Sequence, residues 1–252
     1  TGRQRISYGE WAERTRRLGT VLDDLGISAD GRVATFAWNT ATGAGTLSNG
    51  TTLSGIDRVT LTTGSGADIV TIDGNVSSSA SLTTGAGNAT ITLRAGGITT
   101  DAGAGVDTVT LDYAATTSGF SYSASSNGSG GFNGYFSAFN VNNYLYNIER
   151  FTLIAGSGND SFSVDASPLA AGATLAVDGK GGTDRLDIDF SAFSNTSFVV
   201  GADGAIASTR GSFANFETFD VTVGGGANTV TAAAGNDTIV ASGATDALTG
   251  GA

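Results

Sequence analysis

The sequence predicts an all-β fold built from many short strands joined by tight turns. Gly accounts for 39 of the 252 residues, about twice its usual share, and Pro occurs only once, so the composition is not that of a Pro-rich disordered linker. Apolar residues make up 40% of the chain. They occur mostly in short runs broken by Gly, Ser, Asn and Asp, which is typical of short strands and turns. This content suffices to bury a core, in one elongated domain or in two ordinary ones.

The composition also excludes several classes of function. Without Cys or His, the chain cannot form disulfides or thiolate metal sites, and it lacks the usual zinc ligand and the usual general base. The net charge of −11 and the single lysine, Lys180, argue against binding to a nucleic-acid backbone, so cations are the more natural partners. No run is apolar enough to predict a membrane span. The chain begins with neither Met nor a signal peptide, which predicts that it was cut from a longer precursor.

Residues 1–40 differ in charge from the rest of the chain. They hold six basic and five acidic residues, whereas residues 41–252 hold six basic and eighteen acidic residues. This shift predicts a boundary near Thr40. We therefore expect two parts, a helix and strand segment over residues 1–40 and a larger domain over residues 41–252.

The first part has the signals of one helix. Ser7 and Glu10 have the spacing of a capping box, and Gly26 fits the end of a helix. The apolar residues between these signals recur at helical spacing, and they are Trp11, Leu18, Val21, Leu22 and Leu25. A strand is expected to follow over residues 33–38.

This first part is similar to the N-terminal start of adenylate-forming acyl-CoA ligases. The resemblance lies over residues ~5–40 and is carried by the run ISYGEWAERTRRLGTVLDDLGISADGRVATFAWNT. It includes none of that family's catalytic parts, because no Ser/Thr/Gly-rich phosphate loop ending in Lys follows. We infer no ligase activity from it. The segment is expected to be either a fusion remnant or an amphipathic cap on the domain that follows.

A Gly-x-Gly-x-Asp motif between alternating runs recurs in the larger domain. The stretch 148–160 matches residues 56–68 and 216–228 without gaps. Such a motif is compatible with a hairpin turn or with an ion site, and its recurrence between strands favours a corner in a repeating fold. An acid stands eleven residues before the motif carboxylate or amide in each copy, and these acids are Asp57, Glu149 and Glu217.

Towards the C-terminal end the motif tightens, so that Asn228, Asp237 and Asp246 stand nine residues apart. With this period the chain resembles the RTX (repeats-in-toxin) family over residues ~54–252. The nonapeptide of that family, G-G-x-G-x-D-x-U-x with U apolar, builds a parallel β-solenoid that binds Ca²⁺. The resemblance implies a parallel β-solenoid (β-helix) of about ten coils at ~20 residues per coil.

The same resemblance implies Ca²⁺ as the cofactor and suggests its ligands. The candidate residues are Gly64, Gly66, Asp68, Gly103, Gly105, Asp107, Gly156, Gly158, Asp160, Asp184 and Asp237. Ca²⁺ takes roughly six to eight oxygen ligands, and Gly allows backbone carbonyls to approach an ion closely. Because one turn cannot fill that shell, two stacked turns would have to share an ion. An isolated copy of the motif would instead be a simple turn.

Several copies are damaged, and each loss should weaken the local ion site. Ala89 stands where Asp is expected, and Asn228 replaces another Asp. Asp68, Ala89 and Asp107 are separated by 21 and 18 residues, close to one coil each, so we expect few strong sites. The best place for a shared site is between Asp237 and a coil beyond the end of the chain. Six other aspartates near strand ends are expected to cap turns, and they are Asp73, Asp112, Asp165, Asp178, Asp187 and Asp189.

Aromatic residues are concentrated between Tyr113 and Phe151, amid Gly, Asn and Ser. They could form a face that stacks on carbohydrate, or they could widen the core. We expect them to stack in a wider part of the core or to cover its side, because the equivalent stretch 190–219 is also rich in Phe. The residues concerned include Phe120, Tyr122, Phe132, Tyr135, Phe136, Phe139, Tyr144 and Tyr146.

These features predict a non-enzymatic module that is secreted or at the cell surface. It would be a structural or adhesive part of a surface layer, filament or giant adhesin, rigidified by Ca²⁺. Acidic sites of weak affinity suit the high calcium concentration outside cells. The expected partners are other copies of the chain or adjacent solenoid segments, packed end to end or laterally, and surface polysaccharide.

Two other functions were weighed against this one. The chain could be the RTX export and folding region of a type I secreted enzyme whose catalytic domain lies elsewhere. It could also be a β-helical polysaccharide lyase or hydrolase, although no convergent group of basic and acidic residues supports that activity. The sequence ends within a motif, at LTGGA, which predicts either that the solenoid is truncated there or that it is a unit able to stack end to end.

Overall fold

The computed structural model describes most of residues 41–252 and few of residues 1–40. The described residues are 35–39, 44–47, 52–53, 60–73, 80–94, 96–138, 141–232, 234–243 and 245–250. The predicted N-terminal helix, with most of the stretch similar to acyl-CoA ligases, lies outside these residues. All candidate calcium ligands lie within them.

The described residues form 23 β-strands and one short 3-10 helix, Ser167–Ala171, which confirms the all-β class. Within the same residues no helix is long and apolar enough to span a membrane. In chain order the strands are β1 (Thr35–Asn39), β2 (Ala44–Leu47), β3 (Thr52–Leu53), β4 (Thr60–Thr62), β5 (Ile69–Asp73), β6 (Ala80–Thr83), β7 (Thr90–Arg94), β8 (Ile98–Asp101), β9 (Thr108–Asp112), β10 (Ser121–Ser126), β11 (Phe132–Ala138), β12 (Val141–Ile148), β13 (Arg150–Ile154), β14 (Ser161–Asp165), β15 (Thr174–Asp178), β16 (Arg185–Phe190), β17 (Ser197–Val200), β18 (Ile206–Ser208), β19 (Ser212–Ala214), β20 (Thr218–Val223), β21 (Thr229–Thr231), β22 (Thr238–Ala241) and β23 (Ala247–Thr249).

The strands form three sheets. The first sheet has the order β19-β15-β13-β9-β7-β5-β1-β2-β3, the second β22-β20-β16-β14-β10-β11-β12-β8-β6-β4, and the third β18-β17-β21-β23. From β4 to β9, consecutive strands alternate between the second and first sheets, and each pairs in parallel with the strand two positions along the chain. Each turn between consecutive strands of this region therefore connects one sheet to the other.

The first sheet keeps one register from β5 to β15. Ile69 pairs with Thr90, Thr90 with Thr108, Thr108 with Arg150, and Arg150 with Thr174. Each position along a strand is therefore stacked on the same position of the next strand, at the usual spacing of about 4.8 Å.

The core lies on the inward face of these strands. Side chains alternate between the two faces of a strand, so in β5 Val70 and Ile72 are buried while Ile69 is exposed. One apolar cluster combines inward residues of all three sheets, including Leu93 of the first, Phe162 of the second and Phe198 of the third. Short runs of alternating apolar and polar residues thus become strands with one buried face.

One antiparallel unit interrupts the second sheet. Strand β11 pairs antiparallel with β10 on one side and with β12 on the other. Strand β12 pairs in parallel with β8, and β10 pairs in parallel with β14. In the first sheet β9 pairs directly with β13. The unit therefore extends the second sheet alone.

The aromatic residues of this region divide between core and surface. Phe120, Tyr122, Phe132 and Phe136 are buried, as expected from the sequence. The alternation of strands β11 and β12 turns three tyrosines outward, and these are Tyr135, Tyr144 and Tyr146. Phe139 lies outside the described residues.

The structure also decides between a hairpin and a corner for the stretch 147–165. Strand β13 lies in the first sheet and β14 in the second. The Gly-x-Gly-x-Asp run at residues 156–160 connects them, so it is not a hairpin turn.

Candidate functional site

The candidate site is the residue immediately before a parallel strand, which we call the pre-strand position. The Asp of every intact motif occupies it, because Asp68 precedes β5, Asp107 precedes β9 and Asp160 precedes β14. Asp184 holds the same place before β16. All four are at most 2% exposed. Buried carboxylates are rare and need hydrogen-bond partners, so their contacts explain the motif.

In the first sheet, Asp107 and Glu149 each bond to the backbone of the preceding strand's pre-strand residue. Oδ1 of Asp107 accepts a hydrogen bond of 2.7 Å from the backbone N–H of Ala89, which stands before β7. The N–H of Asp107 donates in turn to Oε2 of Glu149, which stands before β13, over 3.0 Å. The carboxylate of Asp68 accepts a bond from the hydroxyl of Thr63. Asp107 and Glu149 therefore tie their own strands to the neighbouring ones.

The second sheet repeats this arrangement over four strands, β10, β14, β16 and β20. Oδ1 of Asp160 accepts a bond of 2.9 Å from the N–H of Phe120, which precedes β10. The N–H of Asp160 donates to Oδ1 of Asp184 over 2.7 Å, and the N–H of Asp184 donates to Oε2 of Glu217 over 2.7 Å. Asp160, Asp184 and Glu217 therefore form a continuous column of acids along the edge where the chain enters the sheet.

The nine-residue spacing near the C-terminal end has a structural explanation. In the third sheet, Oδ1 of Asn228 accepts a bond of 2.8 Å from the N–H of Thr196, and the N–H of Asn228 donates to Oδ1 of Asp246 over 3.0 Å. Asp237 precedes β22 in the second sheet, where its Oδ1 accepts a bond of 2.8 Å from the N–H of Phe219. Nine residues therefore move the chain to the other sheet, and eighteen return it.

The second oxygen of several of these carboxylates has no partner. Oδ2 of Asp107, Asp160, Asp184 and Asp237 is buried and makes no hydrogen bond within the described residues. Burial raises the pKa of Asp107 to about 6, although the bond from Ala89 opposes the rise. Burial likewise raises the pKa of Asp160 to about 6, against the backbone N–H groups of Phe120 and Gly156, which lower it.

Asp184 shows the strongest effect. Burial raises the pKa of its carboxyl to about 7 against the bond from the N–H of Asp160, and the negative charges of Asp160, Glu217 and Asp178 raise it further. Such a group gains either from protonation or from a cation placed beside it. The column of Asp160, Asp184 and Glu217 is thus the part of the site where a positive charge would relieve most repulsion.

The candidate glycines let one turn pack directly on the next. At Gly103, where φ is +85°, a Cβ would overlap the carbonyl oxygen of Gly85 in the preceding turn. At Gly156 the backbone is not left-handed, but a Cβ would overlap the carbonyl oxygen of Thr116. Close approach between turns is therefore the common requirement, and positive φ is an additional one at Gly103.

The remaining candidate glycines have similar surroundings. A Cβ at Gly105 would overlap the carbonyl oxygen of Gly87, and one at Gly158 would overlap the backbone of Gly119. The carbonyl oxygens of Gly64 and Gly66 face Gly85 and Gly87 of the next turn in the same way. The structure therefore brings all the predicted glycines into turn-to-turn contacts.

The residues present fit Ca²⁺ in chemical kind. The unpartnered carboxylate oxygens of Asp160 and Asp184 belong to adjoining strands, and Ca²⁺ prefers such oxygen ligands. No group of three or more acidic residues that could hold a metal ion occurs in the described ranges. The carbonyl oxygens of Gly85 and Gly156 already accept backbone hydrogen bonds. Asp160 and Asp184 are therefore the residues that would hold an ion, with water or other oxygens completing its shell.

The other aspartates near strand ends mostly cap turns, as predicted. Asp165 accepts a bond from the N–H of Ser167, and Asp189 accepts one from the N–H of Ser191, two residues on in each case. A cross-strand ion-pair role was not predicted. Arg94 bridges two strands of the first sheet, with Nη1 at 2.9 Å from Asp73 and Nε at 2.8 Å from Asp112.

Sequence reasoning missed three members of the site. Glu149 and Glu217 hold pre-strand positions, and Asn228 does the work of an Asp although it was counted as a damaged copy. The sequence did contain a sign of the two glutamates, because each stands eleven residues before a motif carboxylate or amide. What the motif could not indicate is that the partner of each side chain is a backbone N–H of the neighbouring strand.

Comparison with known proteins gives no further information about this site. The chain was compared with protein-family models, with curated proteins and with solved structures. None of them matches. The similarities to RTX repeats and to acyl-CoA ligases therefore rest on the sequence motifs alone.

Proposed function

We propose that this chain is a parallel β-solenoid that acts as a non-enzymatic structural or adhesive module outside the cell. The observation that carries the proposal is the alternation of consecutive strands between sheets from β4 to β9, together with the bonds from Asp107, Asp160 and Asp184 to the backbone of a neighbouring turn. In a solenoid each coil contacts only its neighbours, so stability is a sum of coil and interface terms. The bonds from Asp160 to Asp184 and from Asp184 to Glu217 are interface terms of this kind.

The proposal extends to Ca²⁺ at the column of Asp160 and Asp184. Their buried oxygens without partners and their raised pKa values support a site that is unfavourable when both carboxyls are charged and no cation is near. A bound divalent ion supplies the compensating charge. The protein's part is to hold both carboxylates through their Oδ1 bonds so that each Oδ2 remains available.

A location outside the cell follows from the strength expected of such a site. Two carboxylates with few further charged ligands give weak affinity, of the order of 10⁻⁴ to 10⁻³ M, which is useful where calcium is abundant. The chain would then be stiff outside the cell and looser in a low-calcium cytosol. The acidic charge of the chain, −11, favours the same cation-rich setting.

Thermal unfolding followed by circular dichroism, in chelator and in millimolar Ca²⁺, tests the ion. We expect β-structure in both conditions and a higher Tm with Ca²⁺ at neutral pH, whereas the Asp160→Asn/Asp184→Asn variant should lose the difference. Mg²⁺ provides a matched control because it demands stricter geometry. A Tm that does not respond to Ca²⁺ would remove the ion from the proposal.

Location and assembly need a separate measurement. Antibody labelling of intact source cells, together with electron microscopy of the purified chain, should reveal surface exposure and end-to-end or lateral association. A protein found only in the cytosol would refute the extracellular role, whatever the calcium result.

A further inference from the structure

The outward face of the antiparallel unit differs from the other strand faces described. Tyr135, Tyr144 and Tyr146 are 38%, 40% and 40% exposed. Tyr135 lies on β11, the other two lie on β12, and Tyr135 pairs across the strands with Tyr144. In contrast, β14 presents Ser161 and Ser163 at its outward positions. We call the three tyrosines with their polar neighbours the tyrosine surface.

The strands beneath the tyrosine surface are held firmly. Inward from β11, Phe136 stacks on Tyr113 with ring centroids 4.6 Å apart. Inward from β12, Asn143 donates to the hydroxyl of Tyr113 over 2.8 Å and accepts a bond of 2.7 Å from the N–H of Ile98. The exposed rings therefore stand on a backbone fixed by buried contacts on its other side, so binding would cost little ordering of the surface.

Hairpin stability explains only part of this arrangement. The rings of Tyr135 and Tyr144 lie 5.4 Å apart and tilted by 51°, and such a cross-strand pair contributes about 0.2–1 kcal/mol. Tyr146 has no such explanation, because its partner across the strands is Asp101 of β8. Three exposed rings on adjoining strands form a patch, whereas single exposed apolar residues are ordinary.

The neighbours of the rings are small and polar. Ser123 faces Tyr135 from β10, Thr99 faces Tyr144 from β8, and Asn142 lies beside Tyr144 on the same face of β12. Strands β8, β10, β11 and β12 contain neither Lys nor Arg. Their one charged residue, Asp101, already accepts bonds from Asn147 and from the N–H of Gly103.

We propose that the tyrosine surface binds an uncharged polysaccharide. Tyrosine offers a rigid, flat apolar area with a polar tip at low cost in side-chain entropy, which suits the C–H face of a sugar ring. The hydroxyl and amide groups of Ser123, Thr99 and Asn142 match the hydroxyls of a neutral polyol. A surface with no cation and one carboxylate does not complement an anionic glycan or a nucleic acid.

This inference rests on the proposed function for its setting, because an adhesive module outside the cell meets polysaccharide. It adds a partner class and names the residues that contact it. A second copy of the chain is the competing occupant. The composition of the tyrosine surface favours polysaccharide at this place, because the surface offers no cationic group to bind an acidic face of another copy.

Sedimentation with insoluble cellulose and chitin, and retardation in gels containing a soluble neutral galactomannan, test the proposal on the whole chain. We expect retention on at least one of these, no retention on the anionic polysaccharide alginate, and about a tenfold loss of affinity in Tyr144→Ala/Tyr146→Ala. The Tyr144→Phe/Tyr146→Phe variant keeps the rings and should bind nearly as well. Ile69→Ala removes an equally exposed apolar side chain, 42% exposed, from the first sheet and should change nothing.

Circular dichroism of every variant keeps folding separate from binding. Retention on no neutral polysaccharide by the folded chain overturns the proposal, as does unchanged binding by the folded alanine variant. Dimerisation in sedimentation velocity that the alanine variant abolishes, without glycan binding, assigns the surface to a second copy and also overturns it. If the chain binds glycan but its Tm does not respond to Ca²⁺, the role of the ion is refuted and the proposal for the tyrosine surface still holds.

Discussion

Oδ1 of Asp184 accepts a hydrogen bond of 2.7 Å from the backbone N–H of Asp160, the residue that holds the same position one strand earlier in the second sheet. One oxygen of the carboxylate thus joins two strands, while Oδ2 is buried without a partner. The hydrogen bond at Oδ1 stabilises the fold, whereas the burial of Oδ2 without a partner destabilises it. Substitution of Asp184 and a change of pH separate the effect of the hydrogen bond from the effect of the buried charge.

Replacing Asp184 by Asn and by Ala should have opposite consequences. Asn retains an oxygen that can accept the N–H of Asp160, and it removes a buried charge. Asn228 shows that an amide fits such a position, since its Nδ2 donates to the carbonyl of Gly224 over 2.8 Å. Ala leaves the N–H of Asp160 without its acceptor, which costs about 1–3 kcal/mol.

Urea unfolding in chelator at neutral pH checks this pair of variants. We expect Asp184→Asn to be as stable as the parent or more stable by about 1 kcal/mol, and Asp184→Ala to be clearly less stable. Equal losses in the two variants would mean that the charge, and not the Oδ1 bond, is what matters.

Stability in chelator should fall as pH rises from acidic to neutral. The pKa values of Asp107, Asp160 and Asp184 are raised in the folded chain to about 6, 6 and 7, against about 3.9 in an unfolded chain. Between these values the folded state binds more protons, so this stabilisation is fully present below about pH 4 and is lost as pH rises through 6 to 7.

Thermal unfolding in chelator at about pH 5 and about pH 8 measures the effect, and we expect Tm to be higher at the lower pH by about 5 °C or more. Asp184→Asn should reduce the difference because it removes one of the titrating groups. Asp112 acts in the opposite sense, since Arg94 lowers the pKa of its carboxyl, and that contribution is lost only below about pH 4. A Tm that rises from pH 5 to pH 8 would contradict the prediction.

Gly103→Ala should be far more costly than Gly128→Ala. Both glycines have positive φ, +85° and +76°, but a Cβ at Gly103 overlaps the carbonyl oxygen of Gly85, whereas one at Gly128 meets nothing within 4 Å. The control should lose about 1–2 kcal/mol of unfolding free energy from the left-handed backbone alone. The turn variant should lose about 1–3 kcal/mol more from overpacking. Equal losses in denaturant unfolding would show that the turns do not pack as described.

Arg94→Gln should have only a small effect. Arg94 joins Asp73 and Asp112, yet its side chain is 46% exposed, and exposed ion pairs contribute about 0–1 kcal/mol. We expect a loss of about 0.5 kcal/mol at low salt that disappears in about 1 M NaCl, where charges are screened. A loss that persists at high salt would indicate a packing role for the arginine side chain.

The sequence allowed the strand class and the pre-strand aspartates to be predicted for a physical reason. Alternating apolar residues define a half-buried strand, and a repeated Gly-x-Gly-x-Asp spacing marks the same corner in successive turns. The separations of Asp68, Ala89 and Asp107, 21 and 18 residues, agree with the register that stacks β5, β7 and β9.

The antiparallel unit and its exposed tyrosines were not predictable in the same way. A period of two residues identifies the two faces of a strand, but it does not say which face is buried when both carry aromatic residues. In β11, Tyr135 and Phe136 are adjacent, and it is Phe136 that lies inward, packed against Tyr113 and Phe120. The partners of Glu149 and Glu217 could not be predicted either. Both partners are backbone N–H groups, which every residue except Pro has, so the sequence does not indicate which one is bonded.

The antiparallel unit makes the two sides of the chain unequal in length. Two antiparallel junctions cancel, so β10 and β8 run in the same direction and the parallel pattern resumes at β14. The second sheet gains two strand spacings, about 10 Å, that the first sheet lacks where β9 meets β13. In the solenoid that we propose, this difference should bend the structure towards its shorter side and set Tyr135, Tyr144 and Tyr146 on the convex surface, where a long, stiff ligand can lie across them.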